Sequence, residues 1–188
     1  TSSYSVTGVQ TCALPILLGL EFEQIEAICT QASQVALVVP ANFNSPGQVV
    51  LSGTAEGVKK AMALATAAGA RRALELNVSG AFHSPLMNAA RATFSQALAE
   101  AEIIAPAIPV YCNVTAAPTV DPAEIRRLLE EQLVSPVLWS RTIEQMLQNG
   151  ISEFIEIGSG SVLSGLIRKI NRQAKVVNVD SLASLSAF

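Results

Sequence analysis

The sequence predicts an α/β fold built from two parts, and three observations lead to this prediction. Half of the 188 residues are hydrophobic and only 14% are charged, which is sufficient for a buried core. Residues from about 23 to 78 show the pattern helix, strand, strand, helix, strand. From residue 85 onwards, helices alternate with short apolar strands, an order typical of a largely parallel sheet.

The first part carries an amphipathic helix and several turn signals. Apolar residues recur at helical spacing at Ile25, Ile28, Cys29 and Ala32. Thr54 suits the N-cap of a second helix. The predicted elements are a helix over 23–33, a strand over 35–40 that Pro40 ends, a turn over 42–47, a strand over 48–52, a helix over 54–68 and a strand over 70–78. An opening strand, lost or garbled near residues 14–20, would complete a ferredoxin-like unit.

The second part has clear helix boundaries. Asp121 can cap a helix whose first residue is Pro122, and Asn149-Gly150 is a typical helix end. The predicted helices cover residues 85–102, 123–133, 139–148 and 162–171, and the predicted strands cover 108–113, 152–157 and 176–179. An apolar face on the first of these helices is formed by Met87, Ala90, Phe94, Ala97 and Leu98.

Composition and charge exclude several classes of protein. The net charge is -3 and the pI is near 5.2, so no basic face is indicated and nucleic acid is a poor candidate partner. Cys12, Cys29 and Cys112 form no C-x-x-C pair, so neither a zinc site nor a disulfide framework is indicated. Reduced thiols in the cytoplasm are the default expectation. No apolar run reaches about 18 residues, so no transmembrane helix is predicted.

Residues 1–16 differ from the remainder of the chain. They show no clean period and no basic start before an apolar core, so a signal peptide is not indicated. We hypothesise that they are foreign sequence joined to a truncated gene, or a cloning or assembly scar. The alternative is a disordered native extension.

The only histidine, His83, follows the strand predicted over 70–78 and precedes a helix that begins at Ser84-Pro85. Histidine is the natural general base because its unperturbed pKa is about 6.5. A strand-to-helix loop is also a usual place for catalytic residues in α/β enzymes. The alternative is that a lone histidine is structural or merely exposed.

Three motifs, in order and at fitting spacing, carry a family resemblance. They are Gly-Ala-Phe-His-Ser-Pro-Leu-Met at 80–87, Asn-Phe-Asn-Ser-Pro-Gly-Gln at 42–48 and Glu-Ile-Gly-Ser-Gly-Ser-Val-Leu at 156–163. Together they resemble malonyl-CoA:acyl-carrier-protein transacylases and the related acyltransferase domains of polyketide and fatty-acid synthases. The resemblance extends from about residue 17 to the C-terminus.

The resemblance implies a fold and a division of the chain. It implies a partial α/β-hydrolase-like acyltransferase body with a ferredoxin-like small subdomain. The small subdomain would cover residues 17–78 and the C-terminal part of the large subdomain residues 79–188, after a leader over 1–16.

The resemblance also implies an activity and its residues. The family transfers a malonyl group from coenzyme A to the phosphopantetheine thiol of acyl carrier protein through an acyl-serine, without a metal or cofactor, in cytoplasmic fatty-acid biosynthesis. His83 would be the catalytic base, and Gln132, before the Pro-Val-Leu-Trp segment at 136–139, would orient it through a main-chain carbonyl. Phe82, Asn42 and Asn44 are the candidate substrate-binding residues. Structural alternatives are a core position for Phe82, turn formation for the asparagines and a solvated helix end for Gln132.

The expected nucleophile is missing from the sequence. No Gly-x-Ser-x-Gly motif occurs, and the Gly-Ser-Gly-Ser at 158–161 has the wrong spacing. In the family, the serine elbow, a malonate-binding arginine and an oxyanion-hole glutamine lie upstream of residue 17. We therefore expect the C-terminal portion of the enzyme, inactive by itself. The alternatives are a fragment of a polyketide-synthase acyltransferase domain and a non-catalytic module that binds carrier protein.

Overall fold

The computed structural model describes residues 12–76 and 80–186, and within them the chain has a mixed α/β fold, as predicted. The first part contains β1 (Cys12–Leu18), α1 (Phe22–Ala32), β2 (Val38–Ser45), β3 (Gln48–Thr54), α2 (Ala55–Ala67) and β4 (Arg72–Leu76). These four strands form one sheet in the order β2-β3-β1-β4, with antiparallel neighbours throughout.

The hydrophobic core of the first part lies between this sheet and its two helices. Leu17 of β1, Ile25 of α1 and Leu51 of β3 are all fully buried there. The apolar face predicted for α1 is the buried face of that helix. Thr54 caps α2 as predicted, since its hydroxyl accepts a hydrogen bond from the Gly57 N–H.

β1 begins at Cys12, four residues before the predicted end of the leader. Residues 12–16 therefore belong to an inner strand, which pairs with β3 on one side and β4 on the other. Leu14 and Pro15 are buried in it. A strand that is covered on both sides needs no polar-apolar alternation, which explains why no period is visible in the sequence. Residues 1–11 lie outside the described part of the chain, and their origin stays a hypothesis.

β2 continues through Pro40 to Ser45, so the prediction that Pro40 ends the strand was wrong. The strand lies at the edge of the sheet, where the missing proline N–H need not break a ladder of hydrogen bonds. The pairing with β3 also shifts between Pro40 and Asn42. The turn predicted over 42–47 shrinks to Pro46-Gly47, where Gly47 has a φ of +69°.

The second part is helical with short strands. It contains a 3₁₀ turn (Pro85–Met87), α3 (Asn88–Glu100), β5 (Val110–Cys112), β6 (Ala117–Thr119), α4 (Pro122–Gln132), α5 (Trp139–Gln148), β7 (Glu153–Ile157), α6 (Val162–Ile170), β8 (Lys175–Val179) and α7 (Leu182–Ser186). β7 and β8 are parallel, as predicted, but β5 and β6 are antiparallel. The connection between β5 and β6 is too short for the crossover that a parallel pair needs.

Apolar side chains in the second part are less buried than the sequence pattern predicts. Of the five residues predicted to form the apolar face of α3, Leu98 alone is buried. That helix packs mainly against α4 and the 3₁₀ turn, which leaves Phe94 36% exposed. Ile155 and Ile157 on β7 are 50% and 82% exposed. This part of the described chain therefore presents large apolar surfaces. None of the helices in residues 12–76 and 80–186 is long and apolar enough to cross a membrane.

A short pairing joins the two parts. The Phe43 N–H donates to the Val137 carbonyl at 2.9 Å, and the Val137 N–H donates to the Ala41 carbonyl at 2.8 Å. The edge strand β2 thus lies beside the segment that follows α4.

Candidate active site

His83 lies on a tightly held loop before the 3₁₀ turn. Its φ of +58° is uncommon for a residue other than glycine, so the surrounding bonds must hold the backbone there. Ser84 supplies two of those bonds. Its buried hydroxyl donates to the Ala81 carbonyl at 2.7 Å and accepts from the Leu86 N–H at 3.3 Å. The backbone on both sides of His83 is therefore held in place.

The imidazole of His83 contacts the end of α4. Its Nδ1 lies 3.0 Å from the main-chain oxygen of Gln132. Gln132 is the last residue of α4, where carbonyl groups have no partner within the helix, so its oxygen is free to accept. A carbonyl can only accept a hydrogen bond, so this contact requires Nδ1 to carry the proton. The other ring nitrogen, Nε2, is then the one that can accept a proton.

The side chain of Gln132 makes a second, weaker contact with the same ring. Its Nε2 donates to the Ser135 carbonyl at 3.0 Å and lies 3.3 Å from His83 Nδ1. An amide N–H cannot donate to a nitrogen that already carries a proton, so the two contacts at Nδ1 compete. The shorter contact with the main-chain carbonyl decides the tautomer, and the amide is assigned by its bond to Ser135.

The substitution Gln132→Ala tests this assignment, because it removes the amide and keeps the main-chain carbonyl. We expect the Nδ1–H tautomer in both proteins, with about 1 kcal/mol of unfolding free energy lost in the variant with the bond to Ser135. Nitrogen-15 NMR of the single histidine distinguishes the tautomers. An Nε2–H tautomer in the unmodified chain would contradict the assignment. Loss of the Nδ1–H form in the variant alone would mean that the amide orients the ring.

His83 opens onto a cavity of about 570 Å³ between α1, β2 and the segment over 134–136. Cys29 and Phe43 also line it. Burial raises the pKa of the Cys29 thiol to about 12, and the negative charge of Glu26 adds to the effect. The thiol is therefore protonated at neutral pH and cannot serve as a thiolate nucleophile. The sequence analysis did not single out Cys29 or Phe43 as cavity residues, since a buried cysteine and phenylalanine resemble any other core positions.

The three candidate substrate-binding residues lie in different surroundings. Asn42 and Asn44 are on β2, on either side of the cavity residue Phe43, and not in the predicted turn. Phe82 is 45% exposed, so the alternative of a core position is wrong. Its ring lies over Gly80, where a Cβ would be 3.2 Å from the ring edge. A substrate-binding role for the three residues stays a prediction.

The Gly-Ser-Gly-Ser turn at 158–161 opens α6, but its nearby amides are already occupied. The Glu156 carboxylate accepts from the N–H groups of Leu163 and Ser164 at 3.0 and 2.8 Å. The Ser164 hydroxyl also donates to it, and this bond is the main reason why the pKa of Glu156 is lowered. A carboxylate of the chain thus takes the place that a phosphate would need. The arrangement favours structural packing over phosphate binding at this turn.

The comparisons with known proteins agree with this site. The family model of the acyl transferase domain matches residues 19–186, and the chain belongs to that family. Over 168 residues it is 42% identical to the malonyl CoA-acyl carrier protein transacylase of Bacillus subtilis, covering 89% of this chain and 53% of the relative. The chain thus spans about half the length of this curated relative.

Two solved structures are similar over nearly the whole chain. An acyl carrier protein S-malonyltransferase from Vibrio cholerae has a TM-score of 0.91 and 44% identity, covering 94% of this chain and 58% of that one. A malonyl-transacylase solved in complex with a type II polyketide acyl carrier protein has a TM-score of 0.91 and 38% identity, covering 95% of this chain and 58% of that one. The mixed α/β fold is therefore that of malonyl transacylases.

Proposed function

We propose that this chain is the C-terminal portion of a malonyl-CoA:acyl-carrier-protein transacylase. The observation that carries the proposal is the contact between His83 Nδ1 and the main-chain oxygen of Gln132. This contact leaves Nε2 available as a proton acceptor beside a cavity. The enzyme would transfer malonyl from coenzyme A to the phosphopantetheine thiol of acyl carrier protein, in cytoplasmic fatty-acid biosynthesis.

In the proposed mechanism, His83 acts twice as a base. A serine hydroxyl is a weak nucleophile at neutral pH, so Nε2 removes its proton as the oxygen attacks the malonyl thioester. The imidazolium then protonates the leaving thiolate of coenzyme A. In the second half, Nε2 removes the proton of the carrier thiol, which attacks the acyl-serine and releases the serine.

Gln132 would act as a positioning residue in this mechanism. A carboxylate that orients the imidazole also stabilises its positive charge. The carbonyl dipole of Gln132 carries no full charge, so it fixes the tautomer and stabilises the imidazolium less strongly. This arrangement suits a base that must take up a proton and release it in each half-reaction.

The nucleophilic serine is proposed to come from sequence upstream of this segment in the family. Ser84 is a poor candidate, because it is fully buried and its hydroxyl already donates to Ala81. Ser159 is exposed, but the structure gives it no contact with His83. The match to little more than half of each relative agrees with this interpretation.

The proposed division of the chain follows the same family pattern. The order β2-β3-β1-β4, with chain order βαββαβ, supports a ferredoxin-like small subdomain that begins with β1. Residues from about 79 onwards would belong to an α/β-hydrolase-like body. The parallel pair of β7 and β8 is the part of that body's sheet which the described residues contain.

Phe82, Asn42 and Asn44 are proposed to contact the substrate. The ring of Phe82 is large, rigid and next to the base, so it would restrict the space for a substituent on the acyl α-carbon. Discrimination against one methyl group by such a contact is about 1–3 kcal/mol. Asn42 and Asn44 flank a residue of the His83 cavity and can offer amide donors to a thioester or carboxylate.

Incubation with radiolabelled malonyl-CoA tests the proposal. It compares this chain with a hybrid that carries the upstream half of a relative, followed by a denaturing gel and mass analysis. We expect label on the hybrid alone, and transfer of that label to acyl carrier protein. Stoichiometric label on the present chain would refute the missing-serine proposal. Absence of label on both would favour a non-catalytic carrier-binding module. Transfer only to a polyketide carrier would favour the polyketide-synthase alternative.

A further inference from the structure

A second concave site, separate from the His83 cavity, is strongly cationic. It is a groove of about 700 Å³ that shares no lining residue with the cavity. Five of the chain's 12 lysine and arginine residues line it, and no carboxylate does. We call it the basic groove, and its cations are Arg71, Arg72, Arg168, Lys169 and Arg172. We propose that the basic groove binds the phosphate groups of a small organic phosphate that carries two or more negative charges.

The first argument is that the positive charge of the groove is not neutralised by the protein. The chain as a whole is acidic, with 15 carboxylate side chains against 12 cations. None of the ion pairs in residues 12–76 and 80–186 involves a cation of the groove. Arg168 donates to the Val176 carbonyl and Lys169 to the Gln48 amide oxygen, both neutral acceptors. A cleft lined by one sign of charge attracts counter-ions, and a polyanion would relieve the repulsion among its cations.

The second argument is that the cations come from separate elements. Arg168 and Lys169 are in the last turn of α6, where the helix dipole alone can explain a positive charge. That explanation does not cover Arg71 and Arg72, which lie at the start of β4. Arg172 follows the end of α6. The fold therefore brings cations from both parts of the chain to one groove, which local helix electrostatics does not require.

The third argument is the backbone under Arg71. Gly19 has a φ of +91°, and a Cβ there would lie 2.7 Å from Arg71 Nε. The arginine side chain thus lies directly over the Gly19 backbone, a position that only glycine permits. The Gly19 N–H also donates to the Gly47 carbonyl at 2.8 Å, which joins the two turns beneath the groove. Arg71 is therefore placed by the fold at the groove and does not merely extend into solvent.

The chemistry of the groove suits phosphate. Four of its cations are arginines, whose planar guanidinium groups bind phosphate oxygens through paired hydrogen bonds. Ser45 also lines the groove, is fully buried, and its hydroxyl has no hydrogen-bond partner among the described residues. A concave site of this volume accommodates a small molecule, whereas a flat basic patch would suit an acidic protein surface.

Calorimetric titration of this 188-residue chain with pyrophosphate and with adenosine 3′,5′-bisphosphate tests the proposal. We expect saturable binding that weakens as salt rises. The double variant R71Q/R172Q should bind at least about tenfold more weakly, because it removes two phosphate contacts. The matched control K59Q/K60Q removes two exposed charges from α2, outside the groove, and should change affinity less than about twofold.

The probes carry no acyl group and need no serine, so the result does not depend on the acyl-transfer proposal. Equal binding of the two probes would identify phosphate as the determinant, and tighter binding of the nucleotide would add recognition of its organic part. Equal weakening by both double variants would overturn the proposal, since binding would then follow net charge. So would absence of binding at millimolar concentration. Binding of acyl carrier protein alone, lost in R71Q/R172Q, would make the groove a protein-docking surface and also overturn it.

Discussion

Replacing His83 should lower malonyl transfer by about 10²–10⁴-fold in the hybrid that carries the upstream half of a relative. The reason is that His83 is the only histidine of this chain, and its Nδ1 contact with Gln132 leaves Nε2 free to accept the serine proton. The measurement is kcat/KM for transfer from malonyl-CoA to acyl carrier protein. A parallel loss of kcat would show that the imidazole acts in the chemical step and not in substrate binding.

The choice of substitution matters at this position, because the backbone of His83 has a φ of +58°. Asparagine tolerates this left-handed conformation and cannot act as a base near neutral pH, so His83→Asn isolates the chemistry. His83→Ala removes the ring but adds backbone strain. The two variants should lose activity to a similar extent, and His83→Asn should melt within a few degrees of the unmodified protein. A loss below about tenfold in both would exclude His83 as the base.

Replacing Leu51 by alanine should cost about 2–5 kcal/mol of unfolding free energy. Leu51 is fully buried in the central strand β3, within the cluster that joins the sheet to α1 and α2. Truncating it leaves a cavity that the close-packed surroundings fill only in part. Urea unfolding followed by circular dichroism measures the change, with Leu129→Ala as the matched control.

Leu129 lies on α4 and is 43% exposed, so its truncation should change stability by about 0.5 kcal/mol or less. Equal effects of the two substitutions would contradict the core assignment. They would instead mean that the apolar surfaces of the second part contribute to folding as much as the packed first part does.

Several elements could be predicted from residues close together in the sequence. α5 was predicted with its observed bounds, and the caps of α2 and α4 were predicted from Thr54 and from Asp121-Pro122. Such predictions succeed because helical spacing and capping depend on neighbours within about one turn. β6 and α7 were missed because three residues and a short last turn give no measurable period.

The strand boundaries were predicted less well, for a physical reason. Whether Pro40 ends a strand depends on whether that strand is at an edge, and this is a property of the sheet as a whole. The same holds for β1, whose lack of alternation reflects its two neighbours. The apolar face predicted for α3 depends on what covers it, and among the described residues little does.

The sequence by itself determined which residues can do chemistry and which family they resemble. One histidine, an unusual set of three motifs and the absence of a serine elbow are all properties of residue identity and spacing. The tertiary structure alone decided how those residues meet. The contact between His83 and Gln132 spans 49 positions, and the basic groove combines cations from β4 and α6. Such distant pairs come together only when burial of the core fixes the elements relative to one another, because local propensities carry no information on long-range distance.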